Sequence, residues 1–501
     1  LQRSTRLQLL ITSRERLRLG HEHSFELGGL SLPRSVLAPE RSDAELLFLE
    51  RAQQAAPDFQ LDAGNRSAVV RICQLMDGMP LGIELAAAWV NVLTPDEIAN
   101  EIASNIDFLT RSNRDASPRH RSMRAVCDHS WALLNVGERQ ILERLAVFRG
   151  GCNREAAQRV ARAALPTLAG LIDKSLVQLQ QRERYTRYDL HEVVRQYAEE
   201  KRQVTSLGSS SNQTLLSGLE QDEAWLAHYT YFYQLAATAK LHLLGSTQLQ
   251  WLNILDQEHD NLRAALDRCL FTHDFARGLQ LAIQLEGYWF TRGYHGEGLQ
   301  WLRSFLERES SSLSEHDRAL GYAASTILAI ASGNYALARA CLGRSIGTIR
   351  RLGDQALLAK VLRYQGLIAL YEGDYATAET LANESISAAQ AVNNHFEVAT
   401  TLGHLTAIAL IQQNYVQAKE SSLEAVRILR MLDDKNQLAG ALRRLAQARI
   451  QLGELENAED EALESFRLNK EVGDLRGIAA SIVIVAALLA ARQRWSVVAQ
   501  L

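Results

Sequence analysis

Proline is scarce in this chain, seven residues in 501, and aromatic residues supply only 7% of it, while Ala and Leu abound. That balance disfavours turn-rich β architectures and favours helix. Cys73, Cys127, Cys152, Cys269 and Cys341 are odd in number, scattered, and form no C-x-x-C pair. Their spacing argues against a disulfide framework or a structural zinc site and suits a reducing cytosol. Neither sign of charge dominates: 54 Lys and Arg against 58 Asp and Glu leave a net charge of −4, with no global pull toward nucleic acid or membrane. Long apolar runs are also missing. The most apolar window, Ile478 to Ala491, is about 14 residues, short of the roughly 20 of a membrane-spanning helix, and reads as a buried repeat helix. No signal peptide is read at the start. A soluble, cytoplasmic protein without a membrane partner is expected.

Catalytic motifs are absent too. No G-x-x-x-x-G-K-[ST] occurs, no apolar strand ends in the paired acids that would hold magnesium, and no G-x-S-x-G nucleophile motif appears. His191-Glu192-Val193-Val194-Arg195 begins like a zincin helix but lacks the second His at i+4, and His21-Glu22-His23 has no third ligand nearby. No residue is therefore assigned as catalytic and none as a metal ligand.

What is present is repetition. Gly333-Asn334-Tyr335, Gly373-Asp374-Tyr375, Gln413-Asn414-Tyr415, Gly453-Glu454-Leu455 and Gln493-Arg494-Trp495 recur every 40 residues, with Ala338, Ala378, Ala418, Ala458 or Val498 three places on. Gly293 and Gly298 stand one period upstream. Leu362, Leu402 and Leu442 precede the turns by eleven residues, and a small residue (Thr326, Gly366, Thr406, Ala446, Ala486) follows four later. Each unit reads as helix–turn–helix: the turn glycine supplies a positive φ, and the small residues let two backbones approach. The pattern resembles the tetratricopeptide repeat with a longer unit. The extra residues fall around Leu352-Gly353-Asp354, Leu432-Asp433-Asp434 and Val472-Gly473-Asp474, so either the helices or their connection are extended. Such a solenoid offers a surface for a peptide, protein or small inducer, although the repeat-defining residues themselves are core.

The first two hundred residues differ. Leu7 to Thr12 reads as a strand with Ser13-Arg14-Glu15-Arg16 at its carboxyl end, where parallel sheets bind ligands. Arg14 there can reach a terminal phosphate or close a surface ion pair. Phe25-Glu26-Leu27 reads as a second strand, with helices at about Ser42–Ala56 and Asn65–Met76. Gly78 suits a helix C′ position and Pro80 the first turn of the next helix, a rigid corner whose proline ring could pack on a purine. Helices follow at about Met123–Leu134, Gly137–Val147, Arg154–Ala161 and Leu165–Asp173, then strands at Ser175–Leu179 and Arg184–Asp189, a winged-helix order. His191 opens the next helix, as a phosphate contact, a cap or a buried side chain. From Pro118 to Arg202 Lys and Arg exceed Asp and Glu by about six, and Arg154, Arg159 and Arg162 share one helix, which leaves DNA reading open. A Ser- and Gly-rich linker, Ser206–Gly218, separates this half from the repeats.

Taken together, Ile11–Glu15, Gly78–Trp89, Asp128-His129-Ser130-Trp131, Phe148–Gly151, Asp173-Lys174-Ser175-Leu176, Leu190–Ala198 and Glu258–Leu266 resemble the NB-ARC-type STAND ATPases, specifically bacterial transcriptional regulators related to AfsR and MalT. Met79 and Gly82 depart from the commonest Gly-Leu-Pro-Leu-Ala form, and Leu190-His191-Glu192 stands where many relatives have Met-His-Asp. The resemblance implies a mainly α chain. It would comprise the end of a P-loop α/β core without Walker A and B (1–30), a helical NB-ARC-type domain (31–117), a winged helix (118–204), a linker (205–220), helical bridging repeats (221–310) and an α-solenoid of tetratricopeptide-like helix pairs (311–501). It also implies a fragment whose phosphate-binding front half lies elsewhere. ATP or ADP with Mg would be the cofactor, and ATPase activity a property, of the intact protein alone. By that resemblance Arg14 is the sensor near the γ-phosphate, Pro80 contacts adenine and His191 holds the ADP β-phosphate. Implied partners are an inducer or protein on the repeats, further copies of the activated protein, and DNA through a separate effector domain. A plain repeat scaffold with an inert NTPase remnant is the alternative.

Overall fold

The computed structural model describes residues 23, 25, 27–33, 40–109, 122–182, 185–208, 222–245, 247–308 and 313–493. These are mainly helical and divide into two compact units, with the boundary between Tyr231 and Phe232. Most of residues 1–30, including Arg14 and the strand expected before it, lie outside the described residues. Phe25 and Leu27, expected in a strand, are exposed and belong to none.

The first unit opens with α1 (Asp43–Ala55), α2 (Arg66–Leu75), α3 (Pro80–Ala87) and α4 (Pro95–Ser104). Ser42 with Glu45 and Thr94 with Glu97 form capping boxes, which satisfy two orphan donors at each helix start. Phe48, Ile72, Met76, Ile83, Leu85 and Ile98 form the core between these helices. Then come α5 (Met123–Ala132), α6 (Val136–Leu145), α7 (Arg154–Ala161), α8 (Leu165–Asp173), the antiparallel pair β1 (Gln178–Arg182) and β2 (Tyr185–Asp189), and α9 (Glu192–Gly208). The first strand starts three residues later than its pattern suggests. Ser175 adopts a left-handed φ of 57° and Leu176 N–H bonds back to Leu171 O at 3.0 Å, so the helix C-terminus consumes the first part of the apolar run. Helix α9 runs to Gly208, past the expected start of the linker, and residues 209–221 lie outside the description.

The chain continues through α10 (Glu223–His242), α11 (Gln248–Gln257), α12 (His259–Phe271), α13 (Phe275–Gln284), α14 (Glu286–Arg292) and α15 (His295–Leu306). Helix pairs follow: α16 (Glu315–Ala331) with α17 (Tyr335–Leu352), α18 (Gln355–Glu372) with α19 (Tyr375–Ala391), and α20 (His395–Ile411) with α21 (Tyr415–Met431). The last are α22 (Lys435–Leu452) with α23 (Leu455–Val472), and α24 (Leu475–Ala491). The longer unit comes from the helices, which run 17 or 18 residues, and not from the connections. A finer period also appears. His273, Gly293, Gly333, Gly353, Gly373, Asn393, Gln413, Asp433, Gly453, Gly473 and Gln493 are all left-handed, so from Gly333 on the same reversal ends helices at every 20-residue step, between pairs as well as within them. The Asn or Asp that usually follows caps the next helix; Asn334, Asp354, Asp374, Asn394 and Asn414 each accept from the backbone N–H three residues on. Within a pair the small residues do what their spacing suggests. A Cβ added at Gly366 would lie 3.3 Å from Ala378 O.

Gly373 has φ 83° and nothing within 4 Å of an added Cβ, so only its backbone conformation resists a side chain. Gly373→Ala should cost about 1–2 kcal/mol in reversible unfolding of the chain. Gln413→Gly, at the equivalent turn with φ 61°, should cost nothing or stabilise. Equal losses at the two positions would contradict a shared left-handed requirement.

Candidate functional site

A helix leaves its last carbonyls without intrahelical partners. At the end of α2 the backbone turns sharply: Asp77 and Gly78 adopt φ of 46° and 66°, and Pro80 begins α3. Glycine is required at 78, because a Cβ there would fall 2.3 Å from Leu30 O. Leu30 N–H in turn donates to Gly78 O at 2.8 Å. Proline at the first helical position needs no N–H and arrives with φ already set. Its ring is exposed. Gly82 follows on the buried side, and an added Cβ would meet Met76 Sδ at 2.6 Å. The Met76 side chain thus occupies the space a larger residue at 82 would need.

His191 meets this corner from the winged helix. It is 8% exposed, and its Nε2 lies 2.9 Å from Met76 O, which also accepts from Met79 N–H at 2.8 Å. Val193 N–H donates to His191 Nδ1 at 3.2 Å. A carbonyl can only accept and Nδ1 is already accepting, so the ring is the neutral Nε2–H tautomer with both nitrogens engaged. The structure therefore brings His191 and the Gly78–Pro80 corner together through one carbonyl.

The rest of α9 reinforces that joint. Gln196 Nε2 donates to Ile102 O and Ala103 O, both at 3.0 Å, so α9 also satisfies carbonyls at the end of α4. Val193 and Tyr197 enter the core built on Phe48 and Ile72. Tyr197 donates its hydroxyl to Asp128, and its ring stands edge-on to Trp131 at 5.7 Å. These last two residues come from the Asp128-His129-Ser130-Trp131 motif. From the hairpin, Gln178 donates its amide to Asp77. Burial holds the Asp189 carboxyl above the usual range, with the nearby Asp77 and Glu192 carboxylates acting the same way against the Leu190 N–H and Arg187. Glu192 ends below its usual range, because Arg195 and Gln196 outweigh its burial.

Inside the winged helix, Gly150 and Gly151 are left-handed, and a Cβ at Gly151 would fall 2.6 Å from Tyr188 O. Arg187 donates to the carbonyls of both glycines, at 2.6 and 3.1 Å, which fixes the Phe148–Gly151 turn against β2. Lys174 donates to Glu138 at 2.7 Å and holds its carboxyl low against the burial that would raise it. On α7, Arg159 pairs with Glu155 at 3.2 Å, and Arg162, just beyond the helix, pairs with Glu223 at 3.3 Å. The helix directly before the hairpin, α8, has no Lys or Arg.

Of the three proposed nucleotide contacts, Arg14 lies outside the described residues, while Pro80 and His191 converge on one joint. Sequence reasoning missed Met76, Gln178 and Gln196. They carry no motif letter, since a backbone carbonyl and two amides act here through position alone. No group of three or more metal-ligating side chains is found among the described residues, whose five cysteines are all buried and free. No described helix is long and apolar enough to cross a membrane.

A winged helix-turn-helix domain model matches residues 134–203, the span from α6 to α9. Over 370 residues the chain is 33% identical to proteins named, provisionally, HTH-type transcriptional regulators in Mycobacterium tuberculosis and Mycobacterium bovis, covering 71% of this chain and 39% of theirs. A second Mycobacterium tuberculosis protein, uncharacterized, is 35% identical over 204 residues, 39% of this chain and 50% of its own. The chain thus spans about two fifths of the length of the longer relatives. Among solved structures it is similar to a Signal Transduction ATPase with Numerous Domains (STAND) protein with a tetratricopeptide repeat sensor from Pyrococcus horikoshii. That match is 15% identical with a TM-score of 0.45, over 89% of this chain and 62% of the other. The resemblance to bacterial regulators read from the motifs is borne out by the relatives and by the winged-helix match, and the chain joins a winged helix-turn-helix domain to tetratricopeptide-like repeats.

Proposed function

We propose that this chain is the sensing and autoinhibitory part of an ATP/ADP switch regulator of transcription. The observation that carries the reading is the His191 ring on the Met76 carbonyl, beside the exposed Pro80. Both residues fit an adenine nucleotide: a free proline ring can pack on a purine, and an imidazole Nε2–H can donate to a phosphate oxygen as it does to a carbonyl. A bound nucleotide would supply the charge that makes one arrangement of the joint better than another. His191 can serve either Met76 O or a phosphate with its one Nε2 proton, which makes the joint a two-state element. An inducer or partner on the repeats would bias the same equilibrium from a second site, as allostery requires. Self-association of the activated protein and control of an effector domain belong to the whole protein. Reading DNA with this winged helix is less well supported, because α8 presents no cation and Arg159 and Arg162 already have carboxylate partners.

The test is calorimetric titration of ADP and ATP into a protein that carries this chain together with an upstream phosphate-binding domain. ADP should bind, and His191→Ala and Pro80→Ala should each weaken it about tenfold, the scale of one charge-assisted hydrogen bond or one lost packing contact. His191→Gln, which keeps a donor, should lose less than His191→Ala. Absence of binding to either nucleotide would leave the scaffold reading in its place. In the same protein, deleting residues 311–501 should raise basal transcriptional output; unchanged or lower output would contradict autoinhibition by the repeats.

A further inference from the structure

Successive first helices of the repeat pairs, α16, α18, α20, α22 and α24, pack directly on one another, and the first four also on their own partners. They form the inner side of the stack, and the 40-residue register puts Tyr364, His404 and Arg444 at one position on it and Arg363, Gly403 and Arg443 at the next. The earlier members are neutralised internally. Lys360 donates to both Glu286 carboxylate oxygens at 2.8 Å and Tyr364 hydroxyl to Oε1 at 3.1 Å, while Arg363 is paired with Glu397 from the following first helix.

The later members are not. Arg363 finds its carboxylate 34 residues on, and the same step from Arg443 arrives at Gly477. Glycine there offers no carboxylate, and the side-chain ends of Asn469 and Asp474 occupy the space beside it, 2.2 and 2.6 Å from where a Cβ would lie. Among the described residues, no carboxylate lies within ion-pairing distance of Arg443 or Arg444, although both are half-buried. Burial lowers both, Arg444 to about 10, where Arg443 pushes the same way and Tyr371 partly offsets it. Burial also holds His404 well below its usual value, with Arg363 and Arg444 adding to the effect, so its ring is neutral at pH 7. Space has been kept for the guanidinium. A Cβ at Gly403 would stand 3.3 Å from Arg444 Nη1, a tight contact that glycine avoids. Two partly desolvated cations side by side without an anion are costly, and a carboxylate brought from outside removes that cost.

We propose that the inner face of the repeats binds an extended acidic peptide segment of a partner protein, with Arg443 and Arg444 as its carboxylate anchors. The row crosses three successive first helices, which at roughly 8–10 Å per packed helix amounts to on the order of 20 Å. An extended chain of about six residues covers that distance. Tyr371, 58% exposed and stacked on Tyr335 at 5.1 Å, adds an aromatic platform near Arg444 for an apolar side chain of the same segment. This deepens the reading of the repeats as the ligand-sensing part and rests on it.

The experiment is fluorescence anisotropy of fluorescein-labelled hexaglutamate with the full chain at about 0.15 M salt, where long-range charge attraction is screened. The chain should bind hexaglutamate and not hexaglutamine. R443A/R444A should weaken binding at least tenfold with unchanged circular dichroism. R443K/R444K should recover part of it, and R303A, at an exposed arginine on α15 that pairs with Glu307 ahead of the repeat pairs, should leave it unchanged. Undetectable binding by the unaltered chain, or equal binding by R443A/R444A, overturns the proposal. So does displacement of the peptide by inorganic phosphate or free glutamate at matching concentrations, since the occupant would then be a small anion. A negative peptide result with intact ADP binding and raised output on repeat deletion would remove this occupant and leave the switch reading in place.

Discussion

The carbonyl of Met76 is the point on which the first unit turns. It ends α2 at a corner too tight for any residue but glycine at 78, and the helix itself cannot satisfy it. A winged-helix side chain, His191, completes it. Five residues later Gln196 does the same for the carbonyls at the end of α4. His191, just ahead of α9, and Gln196 on it therefore supply C-terminal partners to two helices of the neighbouring domain, and α9 sends Val193 and Tyr197 into their core. Moving the winged helix away would leave Met76 O with the Met79 N–H alone and take Gln196 from the Ile102 and Ala103 carbonyls, each lost bond worth about 0.5–1.5 kcal/mol unless a ligand or water replaced it. A joint held by a few such bonds is stable by default and open to being biased by a ligand that competes for the same donor.

The repeat unit depends on a simpler device. A left-handed residue followed by Asn or Asp ends one helix and caps the next, and it recurs at 20-residue steps where the letters are most visible only every 40. Glycine takes this conformation freely, yet Asn393, Gln413, Asp433 and Gln493 take it too. The register this imposes is what places chemically different side chains, Tyr364, His404 and Arg444, at one structural position. The solenoid thus converts a linear code into a row of side chains, neutralised at one end by Glu286 and Glu397 and unneutralised at the other.

Much of this was legible in the sequence. The tetratricopeptide-like turns, the Leu and small-residue positions, and the helices Arg154–Ala161 and Leu165–Asp173 follow from periodicity and capping letters, because those depend on neighbours along the chain. The hairpin start was misplaced because Ser175 is left-handed, a conformation its letter does not announce. Around Gly353, Asp433 and Gly473 the letters mark extra residues without showing that each is another reversal, and Asn393 gives no sign of one, because a left-handed Asn or Asp looks like any other. Pro80 and His191 carried motif signals, but their meeting at Met76 spans 115 residues and runs through a backbone atom that no sequence pattern encodes. The unneutralised pair Arg443 and Arg444 becomes visible only once the partner of Arg363 is known to be Glu397, since the missing carboxylate at Gly477 is defined by that spacing.

The most direct measurement is of the proton on His191. In the chain with 15N-labelled histidine, and with His191→Gln used to assign the signal, the imidazole nitrogen shifts report which nitrogen carries hydrogen. The account requires Nε2–H, donating to Met76 O, with Nδ1 bare and accepting from Val193 N–H. A proton on Nδ1 would mean that His191 cannot make both bonds, and the joint would need another explanation.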